Sequence, residues 1–355
     1  MSGLGAGEAI SRAGIAARYS DGLKRRSVRI AVLAVLMLAG LLADLMTGPA
    51  GLSLWDILDG LFGTGRDQGL PAVIMWQIRL PAAALAVLVG ASLALAGAEM
   101  QTILHNPLAS PFTLGISSAA AFGAALAIVL GITVPFVPPV LAVPVNAFLF
   151  AIGSVMLIQA LAAMGQGAMP LVLFGIVLVF GFNALVAIIQ FIAPADSLQH
   201  LVFWTMGSLN RADGTSVAVL ALVLGGVIPF SMRAAWSLTL LALGEERAQS
   251  LGVNPRWLRV GCLLRASLLS AVAVAFAGTI GFVGLVGPHI ARLLVGEDHR
   301  FFLPASILAG AVVMSFSSIA SKTLLPGVLL PIGIVTSLVG LPCFVALLLG
   351  GRGLR

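Results

Sequence analysis

Ten stretches of this sequence are apolar over so many consecutive residues that their backbone has to find its hydrogen bonds away from water. Inside hydrocarbon every peptide N–H and C=O must be satisfied within the protein, so a spanning segment is a helix or part of a closed barrel. A helix needs about 20 mostly apolar residues to cross a core about 30 Å thick. The runs are continuous and lack the period-two alternation of a membrane strand. They place spans near 28–48, 81–104, 112–132, 138–163, 169–194, 215–233, 259–280, 282–296, 304–322 and 332–350. The 282–296 span is short and follows its neighbour almost without a turn. The expected fold is an all-α integral membrane protein of about ten transmembrane helices.

Composition excludes the main alternatives. Of 355 residues, 60% are hydrophobic and 9% charged, against roughly 25% charged in soluble domains. A soluble enzyme and a disordered chain are both ruled out. Cys262 and Cys343 lie far apart in apolar stretches and read as small buried hydrophobes, not a disulfide framework. The net charge of +6 fits basic loops beside anionic lipid better than a nucleic-acid partner.

The basic residues set the expected orientation. Arg12, Arg18, Lys24, Arg25, Arg26 and Arg29 precede or open the first span. With that end inside, 15 of the 19 Lys and Arg residues lie on the cytoplasmic side or at the adjoining helix ends, and only Arg66, Arg79, Arg211 and Lys322 lie outside. Both termini are then cytoplasmic, in a multi-pass protein of the cytoplasmic (inner) membrane. Residues 1–27 read as a basic cytoplasmic tail, and 28–355 as one ten-span membrane domain with a cytoplasmic loop at 234–258. The first run could also be a cleaved signal segment. Asp44 and the lack of a small-x-small cleavage site favour a retained span.

A spaced pattern hints at internal symmetry. Ala96-Gly97, Pro107 and Gly115 recur as Ala277-Gly278, Pro288 and Gly296, each displaced by 181 residues. Five spans intervene, so the second copy would be upside down, as in the inverted repeats of transporters. Ala and Gly are abundant enough here for chance to give the same pattern.

Chemistry-bearing groups are few. The four histidines, His105, His200, His289 and His299, show no metal-ligand spacing with the cysteines, and no G-x-x-x-x-G-K-[ST] phosphate loop is present. Neither a cofactor nor a metal is expected, and ATP-driven work would need a second chain. The intramembrane carboxylates Glu99 and Asp44 are sparse for a proton relay. The segment from Leu243 to Pro255 is more informative. Glu246 to Gly252 reads as a short amphipathic helix ended by Gly252, with Pro255 blocking its continuation. Such a helix could dock into a partner's groove or could simply be solvated.

Longer blocks carry a resemblance. Glu246-Arg247-Ala248-x-x-x-Gly252 resembles the Glu-Ala-Ala-x-x-x-Gly coupling motif of ABC importer permeases, with Arg247 replacing the first Ala. The blocks Arg79-Leu-Pro, Gly97-Ala-Glu-Met-Gln101, Asn106-Pro-Leu-Ala-Ser-Pro111 and Leu114-Gly115 are similar to FecCD-type (BtuC-like) permeases for iron–siderophores, haem and vitamin B12. So are Phe203–Leu209, Gly281–Leu294 and Leu330–Thr336, in the family order.

This resemblance implies a homodimer of permeases, a cytoplasmic ATP-binding subunit, and a periplasmic or lipoprotein substrate-binding protein. It makes the chain a permease and not an enzyme, importing an iron–siderophore, or alternatively haem or cobalamin. An ion-gradient-driven secondary carrier is the rival class. The resemblance also assigns ATPase coupling to Glu245, Glu246, Ala248 and Gly252, and binding-protein docking to Arg79 and Lys322. The chain departs from the family at Ala82 and His105, where Arg is common. Glu99 stands where the family usually has an apolar side chain. A carboxylate near a span centre costs of order 2.5–3.5 kcal/mol on insertion scales. Glu99, with Gln101 nearby, therefore faces the pathway, or it reaches the headgroups from near the helix end.

Overall fold

The computed structural model describes residues 12–48, 55, 70–163, 169–325 and 327–350, and among these the regular structure is entirely helical. Ten apolar helices match the ten expected spans. Seven are long enough to cross a membrane and three are shorter.

The first helix, α1 (Arg12–Met46), begins well before the expected span at 28. Residues 12–27 contain no proline and include four Arg and three Ala, so the helix runs on through the basic segment. Two of its cations are held by groups elsewhere in the chain. Arg26 lies 3.5 Å from Asp298, and Arg29 donates to the Leu294 carbonyl. Hydrogen bonds from Arg300 hold the Asp298 carboxyl below its ordinary range, with Arg26 adding to the effect.

The second span is the structural axis. A short lead-in (Leu70–Ile74) and one wide π-helical turn (Met75–Arg79) run directly into α2 (Leu80–Ile103). Pro81 lacks the N–H an α-helix would need, which accounts for the widened turn just before it. Almost every residue from Pro81 to Ile103 is buried. The surrounding helices are α7 (Gly214–Ala242), α9 (Pro255–Ala277), α10 (Val283–Val295) and α11 (His299–Thr323), all packed on α2. Backbones meet where side chains vanish: Gly90 lies against Gly310, and Gly97 against Gly284.

Two spans are broken. α3 (Ile116–Leu130) and α10 contain 15 and 13 residues, about 22 and 20 Å of helix at 1.5 Å per residue. Neither reaches across a core of about 30 Å alone. Each is entered from irregular backbone with positive φ, at Gly115 (80°) and Phe282 (65°). The expected spans 112–132 and 282–296 thus resolve into short helices with non-helical leads.

The remaining helices are α4 (Pro139–Ala163), α5 (Met169–Ile192), α6 (Ala195–Thr205), α8 (Glu245–Ser250) and α12 (Ile332–Gly350). α6 was not expected. It packs on α3 and buries Trp204. α7 opens on a capping box between Asp213 and Ser216 and continues to Ala242, past the expected end at 233. The expected 234–258 loop therefore contracts to residues 243–254 around α8.

The chain runs up and down, so its contacts sort into two ends. One carries the start of α1, the end of α2, the 243–254 loop and the α10–α11 turn. The far end carries the end of α1, Arg79, the α6–α7 turn and the end of α11. The four positions displaced by 181 residues occupy unlike settings. Gly97 is mid-helix while Gly278 caps α9, and Gly115 opens α3 while Gly296 closes α10.

The glycine contacts make a sharp prediction. A Cβ on Gly97 would overlap the Gly284 carbonyl, whereas one on Gly225 in α7 meets nothing within 4 Å. Gly97→Ala should lower the thermal unfolding midpoint in detergent, at a cost of about 1–3 kcal/mol, while Gly225→Ala leaves it unchanged.

Candidate functional site

α8 is displayed by two glycines. Gly244 (φ 119°) precedes it and Gly252 (φ 84°) follows it, both in the left-handed region that other residues rarely adopt. The Gly252 N–H donates to the Gln249 carbonyl, and Val253 N–H to that of Ala248. The Asn254 side chain then accepts from the N–H groups of Arg256 and Trp257, and Pro255 opens α9. Ala248 is fully buried and anchors the short helix. Glu246, Arg247, Gln249 and Gly252 are exposed, framed by exposed Leu243, Leu251 and Trp257. A small anchored helix with mixed charge and an apolar rim suits insertion into a groove. Glu245 differs from Glu246. Its carboxylate accepts from both terminal nitrogens of Arg259, at 2.7 and 3.4 Å.

Beneath the loop lies a band of polar side chains joining α2, α7, α10 and α11. His299, buried, stands between Thr102 (2.7 Å) and Thr239 (3.2 Å). The His105 Nε2–H donates to the Leu241 carbonyl, from a residue held at φ 48° where the chain leaves α2. Gln101 accepts from Arg292 (3.2 Å), and Arg292 also meets Glu297 (3.4 Å). All of these side chains except Thr239 border a cavity of about 360 Å³. Gln101 is thus brought to a cavity at the loop end, with its Nε2 lacking a partner among the described residues.

Glu99 is not brought there. Its side chain is 1% exposed and accepts from Arg265 Nε at 3.0 and 3.2 Å, closing an ion pair between α2 and α9. Arg265 also donates to Cys262 Sγ at 3.1 Å. The headgroup contact weighed from the sequence is not what this side chain makes. Sequence reasoning counted Arg265 only as a loop-side cation. The signal it passed over is that a lone carboxylate inside a span requires an opposite charge on a neighbouring helix.

At the far end, Arg79 and Lys322 both turn toward the end of α1. Arg79 is 5% exposed and donates to the carbonyls of Leu45 (3.0 Å) and Met46 (3.4 Å), groups left unpaired by the helix end. Lys322 Nζ lies 2.8 Å from Asp44 Oδ1, and Asp44 is fully buried. These contacts make the two cations clasps for the end of α1. Lys322→Met should leave the Asp44 carboxylate unpaired and cost about 3–5 kcal/mol of stability. The double variant Asp44→Asn/Lys322→Met should recover most of that loss in a thermal unfolding assay.

With this geometry in view, comparison with known proteins is informative. Residues 35–350 match the FecCD transport family. An ABC transporter permease protein of Methanocaldococcus jannaschii is 38% identical over 341 residues, covering 94% of this chain and 97% of its own length. An iron chelatin transport system permease protein of Helicobacter pylori is 41% identical over 289 residues, covering 79% of this chain and 84% of its own. A solved structure of a metal-chelate type ABC transporter in an inward-facing conformation superposes with a TM-score of 0.79 at 31% identity, covering 90% of this chain and 98% of that one. The ten helices, the displayed α8 and these likenesses agree: the chain belongs to the FecCD transport family, as a multi-pass ABC transporter permease subunit that is not itself an enzyme.

Proposed function

We propose that this permease imports a ferric siderophore, driven by an ATP-binding subunit that docks on the 243–254 loop. The observation that carries the docking half is α8 itself, anchored by Ala248 and presented between two positive-φ glycines with Glu246, Arg247 and an apolar rim outward. On this reading Ala248 and Gly252 shape the helix, Glu246 meets the ATPase, and Glu245 ties the helix back to the permease. The loop end is then cytoplasmic together with both termini, an orientation the distribution of basic residues supports. Two copies of the chain form the path, and an external binding protein delivers the chelate. Arg211, exposed and without an ion-pair partner among the described residues, is a better candidate for the delivery face than the engaged Arg79 and Lys322. The likeness to an iron chelatin permease and to a metal-chelate transporter supports the cargo. Haem and cobalamin are the alternatives within the same machine. Gln101, at the edge of the loop-end cavity, is the residue of the proposed path that the geometry favours over the enclosed Glu99.

Two measurements test this. Glu246→Lys should reduce co-purification of the ATP-binding subunit and abolish ATP-driven uptake, while the permease still inserts and keeps its unfolding midpoint. Gly252→Pro should act likewise by distorting the turn after α8. Full uptake by both variants contradicts the loop assignment. For cargo, vesicles with the cognate binding protein should accumulate a ⁵⁵Fe-loaded siderophore well above haemin or cobalamin. Preference for either of the latter overturns the cargo and leaves the machine intact.

A further inference from the structure

A displacement of α8 reaches α7 and α9 directly, because α8 packs on both and is joined to them by short connections. The helix that organises the bundle is α2, and among the described residues one side chain bonds both to α8 and to α2. This is Arg259, in the second turn of α9. Its two terminal nitrogens donate to the Glu245 carboxylate, and its Nε donates to the Ile103 carbonyl at 3.3 Å. Ile103 is the last residue of α2, so this carbonyl has no partner within its own helix. A planar guanidinium can hold a carboxylate with one edge and a carbonyl with another in fixed geometry, which a single ammonium on a flexible stem does not reproduce. The Arg259 side chain is 13% exposed, so solvent screens this bridge less than a surface pair.

Deeper in the bundle, Arg265 repeats the grip of α9 on α2 through Glu99, one helical turn before Ile103 and on the same face of α2. Of the two grips, only the one nearer the loop also holds α8. We propose that Arg259 is the positioning residue that transmits displacement of α8 to the end of α2, so that α8, α9 and this part of α2 move as one body. The proposal rests on the reading of 243–254 as the ATPase-docking loop.

The test uses the permease purified with its ATP-binding subunit in lipid nanodiscs, followed by hydrogen–deuterium exchange with and without ATP–vanadate trapping. Two segments report: residues 243–254, and residues 103–109, where Leu104 and Asn106 N–H groups are bonded to the Met100 and Gln101 carbonyls. In the wild type, trapping should change exchange in both segments by threefold or more. In Arg259→Ala, and in Arg259→Lys, which keeps the charge beside Glu245, segment 243–254 should respond as before. Segment 103–109 should lose its nucleotide response, with the ATP-binding subunit still bound and hydrolysing ATP. A role confined to capping α2 would instead change exchange of 103–109 in both nucleotide states and leave its response intact, and that result overturns the proposal. So does loss of the ATP-binding subunit from the Arg259 variants, or a wild-type 103–109 segment indifferent to nucleotide. If 243–254 is itself unresponsive in the wild type, the docking reading fails and this inference fails with it.

Discussion

The approach of α2 to α10 and α11, backbone against backbone, is the contact on which the rest of the bundle is arranged. A side chain on Gly90, Gly310 or Gly97 would overlap the facing backbone, and one on Gly284 would press on the Leu93 carbonyl at 3.1 Å. Helices in lipid gain little from burying apolar groups against one another, so close packing of small residues carries much of the association. α2 is correspondingly rich in Ala and Gly and buried along its length. The helices around it differ more in exposure, because each packs on α2 along one side and turns the other outward.

The buried carboxylates Asp44 and Glu99 each meet an opposite charge on another helix. Asp44 with Lys322 closes the far end of α1, Glu99 with Arg265 joins α2 to α9, and Glu245 with Arg259 fastens α8. The first two pairs contain a nearly or fully buried carboxylate. Such pairs are costly to bury and costlier to break, and they hold neighbouring helices in one register. The third is half open to water on the Glu245 side, at the place where a partner is proposed to push. A bundle stiff within and charged at one displayed helix is suited to rigid-body movement driven from that helix.

Hydropathy made most of this fold readable, since each apolar run had only the helix available to it. The turn chemistry of Gly252 and Pro255 likewise announced α8 within one or two residues. Other features were hidden for definite reasons. α6 carries Asp196, Gln199 and His200, which break the apolar run although the backbone is helical. The continuation of α7 beyond Arg233 was cut short by weighting one charge over a helix-forming stretch from Ala234 to Ala242. The roles of Arg79 and Lys322 were the least legible. A cation at a span end looks the same in sequence whether it meets solvent, a partner or a carboxylate 278 residues away, as Lys322 does with Asp44. Arg259 and Arg265 were counted for orientation, and only the folded chain shows which groups they hold.

The central claim is that work on this bundle comes from ATP through a partner chain, not from an ion gradient through its own carboxylates. The most direct measurement is accumulation of a ⁵⁵Fe-loaded siderophore in proteoliposomes containing the permease, its ATP-binding subunit and the cognate binding protein. Ionophores collapse all ion gradients in one arm, and ATP is omitted in the other. The account predicts full accumulation without gradients and none without ATP. Accumulation that persists without ATP and disappears with the ionophores would contradict it.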